Sequence, residues 1–193
     1  MGNRDEILQN IKNQFLYYKL LGEKTFTQLE DNKLFWKPSS ESNSIAVIVN
    51  HIAGNMLSRW TDFLTTDGEK EWRNRDQEFE DVLKSKDEVI EFWEKGWKCF
   101  LSVFDELDDD KDLNQIIYIR NQGHTVLEAL QRQLAHYPYH IGQIVMLGKM
   151  IKNDEWKSLS IAKNQSSSYN QEKFSKEKSN IHFTEEYIIK KDH

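Results

Sequence analysis

The sequence of 193 residues contains one cysteine, two prolines and eight glycines. The single cysteine, Cys99, excludes an internal disulfide framework and fits a reducing compartment. So few prolines and glycines favour helices over a fold of short strands and many turns. The first residues, Met1 to Glu6, are charged and no long apolar run follows them, so neither a signal peptide nor a membrane span is predicted. The expected location is therefore the cytoplasm.

The chain also lacks an excess of basic residues, since its formal net charge is -6. That balance argues against a general nucleic-acid-binding protein. Apolar residues make up 38% of the chain and include six Trp, ten Phe and seven Tyr, which predicts a core rich in aromatic rings. The length suits one domain with an additional segment.

Four segments carry apolar residues at the helical period, and together they predict an all-α fold in which four helices form one bundle. The segments are residues 4–29, 44–65, 86–106 and 125–152. Two of them begin with the pattern of a capping box, in which Ser85 precedes Glu88 and Thr125 precedes Glu128 by three positions. The predicted bundle occupies residues 1–157, and a polar C-terminal extension rich in Ser, Asn, Gln and Lys occupies residues 158–193.

The segments between the helices are less regular. Residues 66–79 are dense in charge and are expected to form a structured loop, where Arg73 and Arg75 indicate salt-bridged packing, with anion binding as the weaker alternative. An acidic run over residues 105–112 does not complete an EF-hand and is expected in a solvated loop. Residues 114–122 contain a β-prone run, which predicts either a lone extended segment or a small hairpin.

Three histidines on two otherwise apolar helices form the candidate site. His136 and His140 are four residues apart in the fourth helix and therefore stand one turn apart on the same face. His51 lies on a polar line that crosses the second helix. Two imidazoles from one helix and one from a facing helix would bind a divalent ion on one side and leave positions for water or substrate. The alternative is that all three are ordinary histidines with hydrogen-bond partners in the core or at the surface.

Four polar side chains are candidates to support these imidazoles: Asn55, Ser58, Gln133 and Gln143. A metal-bound imidazole usually donates its second N–H group to such a partner. Ordinary hydrogen bonding within the core is an equal alternative for each of them. The H-x-x-x-H spacing of His136 and His140 lacks the Glu of the H-E-x-x-H motif, so a metalloprotease is not indicated.

The segments NHIAGN at residues 50–55 and QLAHYPYHIGQI at residues 133–144 resemble the DinB/YfiT-like superfamily. Residues 58–64, 67–70 and 72–76 are similar to an uncharacterised branch of it. The resemblance implies a four-helix bundle with a long connection between helices two and three. It also implies a divalent metal ion, often zinc or nickel, on a histidine triad that maps to His51, His136 and His140. Characterised members of the superfamily are metal-dependent transferases that use low-molecular-weight thiols such as bacillithiol, mycothiol or glutathione.

Three functions remain open at this point. The first is a metal-dependent S-transferase, in which a thiol coordinates the ion and Asn55 or Gln143 orients the sulfur. The second is a metal-dependent hydrolase, in which the same open site activates water. The third is a non-catalytic binding module that the metal ion stabilises. The expected partner is a small-molecule substrate or thiol, with no nucleic acid and no membrane, and a homodimer is left open.

Overall fold

Four long helices pack together in the computed structural model, which describes residues 2–107 and 113–188. They are α1 (Gly2–Phe26), α2 (Ile45–Trp60), α3 (Lys86–Glu106) and α4 (Val126–Lys152). The helix α2 packs against both α3 and α4, and α1 also packs against both. The predicted all-α bundle is thereby confirmed, and a small two-stranded hairpin is added to it.

The beginnings of α3 and α4 follow the capping residues in the sequence. The side chain of Thr125 accepts from the Glu128 N–H group while the Glu128 carboxylate accepts from the Thr125 N–H group, which completes the predicted capping box. The Ser85 side chain likewise accepts from the Glu88 N–H group. The Glu88 carboxylate, however, accepts from the N–H group of Lys84 and not of Ser85, so the reciprocal bond is displaced by one residue.

The helix α2 begins after its predicted cap, Ser44, whose side chain accepts from the backbone of the third residue of the helix. It ends at Trp60, earlier than the predicted end near residue 65, because Asp62 has a φ of 48° and the helical ladder cannot continue through that left-handed backbone. Almost all of α2 is buried. It approaches α3 so closely that a Cβ atom on Gly96 would lie 2.7 Å from the Cα atom of Ala53. The polar residues of α2 are therefore held in fixed positions inside the bundle.

Aromatic rings fill the core, as the composition predicted. The Phe100 ring of α3 lies edge-on to Phe15 of α1 at 4.4 Å and to Tyr137 of α4 at 5.4 Å between ring centroids. The hydroxyl of the fully buried Tyr137 accepts from Trp60 Nε1 at 3.1 Å and donates to Asn55 Oδ1 at 3.2 Å. This short chain of hydrogen bonds connects the apolar core to the polar side of α2.

The connection between α2 and α3, residues 61–85, lies against a hairpin. The hairpin consists of β1 (Ile116–Ile119) and β2 (Gln122–Thr125), which pair in antiparallel fashion. The hairpin alternative for residues 114–122 is therefore the one observed. The Asp67 carboxylate accepts from the N–H groups of Arg120 and Asn121 at the turn, and the Gly68 N–H group donates to the Tyr118 carbonyl. These bonds place Arg120 of the hairpin beside the connection.

The C-terminal extension contributes two short helices, α5 (Ser166–Phe174) and α6 (Glu185–Ile188). Within the described ranges, no residue of either helix belongs to the hydrophobic core. The extension does contact α1, because the Tyr17 ring lies 5.8 Å from that of Phe183 and 5.1 Å from that of Tyr187. The boundary at residue 157 stays a prediction. The solvated loop expected for residues 105–112 also stays a prediction, because residues 108–112 lie outside the described residues.

No helix in the described part of the chain is long and apolar enough to cross a bilayer.

Candidate metal centre

Three histidine rings meet between α2 and α4. The Nε2 atom of His136 lies 3.4 Å from Nε2 of His51 and 3.1 Å from Nε2 of His140. One nitrogen from each of the three rings lies within 4.8 Å of the other two. The structure thus brings together the three histidines that the sequence analysis selected, although His51 and His136 are 85 positions apart in the chain.

Each of these rings has an oxygen atom against its outer nitrogen, Nδ1. The pairs are His51 with Glu78 at 2.9 Å, His136 with Gln133 at 3.1 Å, and His140 with Gln143 at 2.9 Å. Because carboxylate and amide oxygens accept, each Nδ1 atom carries the proton and donates it. A neutral ring protonated on Nδ1 has its lone pair on Nε2. All three inner nitrogens are therefore acceptors that face one another, which is the arrangement found in histidine metal sites.

The donor set fits a divalent metal ion. Tetrahedral coordination with metal–nitrogen bonds of about 2.0–2.1 Å separates neighbouring ligand nitrogens by about 3.3 Å. The observed separations of 3.4 and 3.1 Å agree with that value. Burial, reinforced by the neighbouring His140 and His51, lowers the pKa of His136 to about 3, and burial also lowers the pKa of His140. These two rings consequently stay neutral at pH 7 and keep the lone pairs that a metal ion requires.

Glu78 belongs to the site although no sequence pattern pointed to it. Its side chain is almost fully buried, and its carboxylate accepts from Arg73 Nε at 2.7 Å and from the second Arg73 guanidinium nitrogen at 2.9 Å. Burial opposes ionisation, but the hydrogen bonds from His51 and Arg73 outweigh it and lower the pKa of Glu78. A Cβ atom on Gly54 would lie 2.8 Å from Glu78 Oε1, so the glycine makes room for the carboxylate. A negative charge thus orients the His51 ring and strengthens it as a ligand.

Two of the four predicted supporting residues do not contact the histidines. Asn55 accepts a hydrogen bond from Tyr137, and Ser58 donates to the carbonyl of Gly68 at 2.7 Å. The other two, Gln133 and Gln143, occupy the outer nitrogens described above. Asn55 instead lines a cavity next to the histidines.

This cavity of about 210 Å³ opens beside His51 and His136. Its remaining lining residues are Asn55, Gln133, Arg59, Arg73, Arg75, Arg120 and Arg132. Sequence reasoning considered two of these arginines as salt-bridge partners and missed the other three. The signal available for Arg59 was its position four residues after Asn55, which is itself four residues after His51. The cavity therefore combines two of the three histidines with five guanidinium groups.

In a comparison with known families, residues 3–165 match a family described as "Protein of unknown function (DUF1572)". The matched region contains α2, α3, α4, the hairpin, the three histidines and all of α1 except its first residue, and it ends just before α5. Neither a curated protein nor a solved structure matches the chain.

Proposed function

Since the chain belongs to the DUF1572 family, whose function is unknown, we propose that it is a divalent-metal-binding protein of the DinB/YfiT-like type. One observation carries the proposal: the three Nε2 atoms face each other while every Nδ1 atom is engaged by an oxygen. Three neutral imidazoles suit zinc or nickel. Three protein ligands also leave coordination positions for another molecule, as in catalytic sites.

The reaction we propose is transfer of a low-molecular-weight thiol to or from a small-molecule substrate. A divalent ion held by His51, His136 and His140 would lower the pKa of a coordinating thiol, so that the thiol proton passes to solvent and a thiolate is available at neutral pH. The protein contributes the three imidazoles, whose orientation Glu78, Gln133 and Gln143 fix. It also contributes the cavity beside His51 and His136, which can hold part of a substrate. The choice of thiol chemistry is supported by the resemblance of residues 50–55 and 133–144 to the DinB/YfiT-like superfamily, which is an argument by analogy.

The lining of the cavity favours this reaction over hydrolysis. A hydrolase benefits from a proton acceptor close to the attacking water. Within the described residues, however, no carboxylate lines the cavity, and the nearby Glu78 is already held by His51 and Arg73. A non-catalytic module, in which the ion only ties α2 to α4, would leave the cavity without a role.

Metal content tests the first part of the proposal. Purified protein reconstituted with zinc or nickel and then desalted is expected to retain about one ion per chain. The double variant His136→Ala, His140→Ala should lose it. His124→Ala is the matched control, because that histidine lies outside the cluster and its removal should leave the metal content unchanged. Full metal content in the double variant would contradict the site.

Spectroscopy of the cobalt-substituted protein tests the second part. Titration with bacillithiol, glutathione or cysteine is expected to produce a sulfur-to-metal charge-transfer band. S-methylglutathione is the control ligand, because it lacks a free thiol and should produce no such band. An unaltered spectrum with all three thiols would count against the transferase. Hydrolysis of ester or amide substrates that disappears in His51→Ala would then favour the hydrolase.

A further inference from the structure

We propose that the cavity beside His51 and His136 is an oxyanion-binding subsite, which holds a carboxylate or phosphate group of a small-molecule substrate. The identification of that molecule as a substrate rests on the proposed function, whereas the binding of the anion does not. Five arginines, which we call the arginine cluster, line this cavity: Arg59, Arg73, Arg75, Arg120 and Arg132.

Three members of the arginine cluster converge on a single oxygen atom. Glu69 Oε2 lies 3.0 Å from Arg59, 3.1 Å from Arg73 and 3.3 Å from Arg120. The side chains of Arg59 and Arg73 are only 8% and 3% exposed, so two guanidinium groups are held inside the protein at the wall of the cavity. Guanidinium groups in such fixed positions bind carboxylate and phosphate oxygens through pairs of hydrogen bonds.

The charges around the cavity do not balance. Five guanidinium groups line it, and among the residues that the structure describes only two carboxylates, Glu69 and Glu78, form ion pairs with them. Asp67, a further carboxylate nearby, accepts from backbone N–H groups of the hairpin turn. Burial, followed by the charge of Arg73, lowers the pKa of Arg59, as expected where positive charges are crowded. An anionic ligand would compensate this excess.

Arg75 and Arg132 are the members whose positions internal packing does not explain. Neither forms an ion pair within the described part of the chain, and both are exposed. Arg75 lies over the ring of Phe79, which in turn stacks on His51 with ring centroids 4.6 Å apart. Arg132 precedes His136 by one helical turn on α4. Arg132 Nη1 also lies 3.5 Å from His124 Nε2, but neither arginine has a carboxylate partner among the described residues. Both therefore bring an uncompensated charge to the cavity that His51 and His136 line.

A buried amide adds a donor without an acceptor. Asn55 is 6% exposed, and its Oδ1 atom accepts from Tyr137, whose hydroxyl itself accepts from Trp60. These bonds fix the orientation of the amide. Its Nδ2 atom makes no hydrogen bond with any described residue, although the side chain lines the cavity. Among the described residues, Asn55 Nδ2 is not one of the buried side-chain atoms that lack a partner, so this N–H group is open to the cavity. There it can donate to an oxygen of the bound anion.

The cavity is large enough to hold one functional group of a ligand but not the whole ligand. At about 210 Å³ it is smaller than the roughly 300–1,000 Å³ of ordinary small-molecule pockets. It would accommodate an anionic group while the rest of the substrate extends toward the histidines. A purely structural role, in which the arginines only fasten residues 61–85 to α2, accounts for Arg59 and Arg73 but leaves Arg75 and Arg132 unexplained.

Isothermal titration calorimetry with inorganic phosphate and with succinate tests the subsite on the full chain. Both metal-free protein and protein holding one equivalent of zinc are titrated, at constant ionic strength set with chloride. Binding of phosphate alone identifies a phosphate-bearing substrate, and binding of succinate alone identifies a carboxylate. The double variant Arg75→Gln, Arg132→Gln should weaken the binding at least about tenfold, since each charge-assisted hydrogen bond to an anion contributes strongly.

Lys149→Gln is the matched control, because it removes one positive charge from the same helix, α4, at an exposed position outside the cavity. It should leave the anion affinity unchanged. Absence of binding for both anions, with and without zinc, would overturn the subsite. Equal affinity in the wild type and in the double arginine variant would do the same.

The result also separates the subsite from the metal proposal. A protein that retains zinc but binds neither anion overturns the subsite and leaves the metal site standing. A protein that retains no zinc but binds an anion through Arg75 and Arg132 supports the subsite and refutes the metal site. Where both are present, zinc should tighten anion binding, because the anion gains a further nearby positive charge.

Discussion

The substitution Glu78→Gln examines the least expected contact of the candidate metal centre. Glu78 accepts from His51 Nδ1 at 2.9 Å and from two nitrogens of Arg73 at 2.7 and 2.9 Å. Glutamine has nearly the same shape, but it carries no negative charge and has an NH₂ group in place of one oxygen. It can therefore accept from His51 or from Arg73 through its remaining oxygen, while its NH₂ group faces the other donor.

We expect two measurable consequences. Loss of an outer partner of a metal-binding histidine typically weakens metal affinity about 10- to 100-fold, which corresponds to about 1.4–2.8 kcal/mol. The free energy of unfolding should also fall by roughly 1.5–3 kcal/mol, because hydrogen bonds to charged groups contribute about that much. Solvent screening is small here, since the side chains of Arg73 and Glu78 are 3% and 7% exposed.

Zinc affinity is measured by competition with a chromophoric chelator, and stability by urea unfolding of the metal-free protein. Glu69→Gln is the matched control, because Glu69 forms ion pairs with Arg59, Arg73 and Arg120 but contacts none of the three histidines. Both variants should be less stable, but only Glu78→Gln should lose zinc affinity. Wild-type zinc affinity in Glu78→Gln, or an equal loss in both variants, would refute the role assigned to Glu78.

Three further predictions follow from individual contacts. Gly54→Ala should weaken zinc binding, because the added methyl group would lie 2.8 Å from Glu78 Oε1, and chelator competition measures this effect. The variant should lose little stability, because alanine favours the helix, and urea unfolding measures this second effect. In the metal-free folded chain, the pKa of His136 is lowered from 6.5 to about 3. Because the unfolded chain therefore binds a proton on His136 more readily than the folded chain does, the free energy of unfolding should fall as the pH drops below about 6.5. Urea unfolding at decreasing pH checks this, and His136→Gln should flatten the dependence. Truncation after Lys157 should leave the helical circular dichroism of the bundle nearly unchanged, since no described residue beyond it belongs to the core; collapse of that signal would contradict the predicted boundary.

Much of the bundle was accessible from local patterns. Ser85 and Thr125 determine where α3 and α4 begin, because a cap acts on backbone groups only three residues away. The end of α2 was not accessible in this way. The apolar pattern continues to Phe63, yet Asp62 adopts a left-handed backbone conformation without a glycine or proline to mark the break. At this turn the Asp62 carbonyl accepts from the N–H groups of Thr65 and Thr66. The chain that follows binds the hairpin through Asp67 and Gly68, and these contacts cannot be read from the local sequence.

In the candidate site, too, some contacts follow from local sequence and others only from the fold. His136 and His140 share a helix face by spacing alone, whereas the contact between His51 and Glu78 joins residues 27 positions apart. Glu78 lies in the charge-dense stretch for which the sequence predicts a salt-bridged loop, but nothing in the sequence distinguishes it from the other carboxylates there. Only the fold shows that this residue is buried. Loops of this kind require the structure, because burial and pairing of their charges depend on the elements against which they pack.

Arg59 lies between these two cases. The polar residues of α2 next to His51 in the sequence pattern are Asn55 and then Ser58. The cavity wall instead follows steps of four residues, through His51, Asn55 and Arg59. An arginine on an apolar helix is normally expected to extend its charge into solvent. Arg59 is instead 7% exposed, and it donates to the Gly68 carbonyl at 2.6 Å and to Glu69 at 3.0 Å. A facing row at the same step, Arg132, His136 and His140, occupies α4. Two helices that each combine arginine with histidine at this spacing place positive charge beside a metal-ligand cluster, and an anionic substrate is the ligand that such a combination suits.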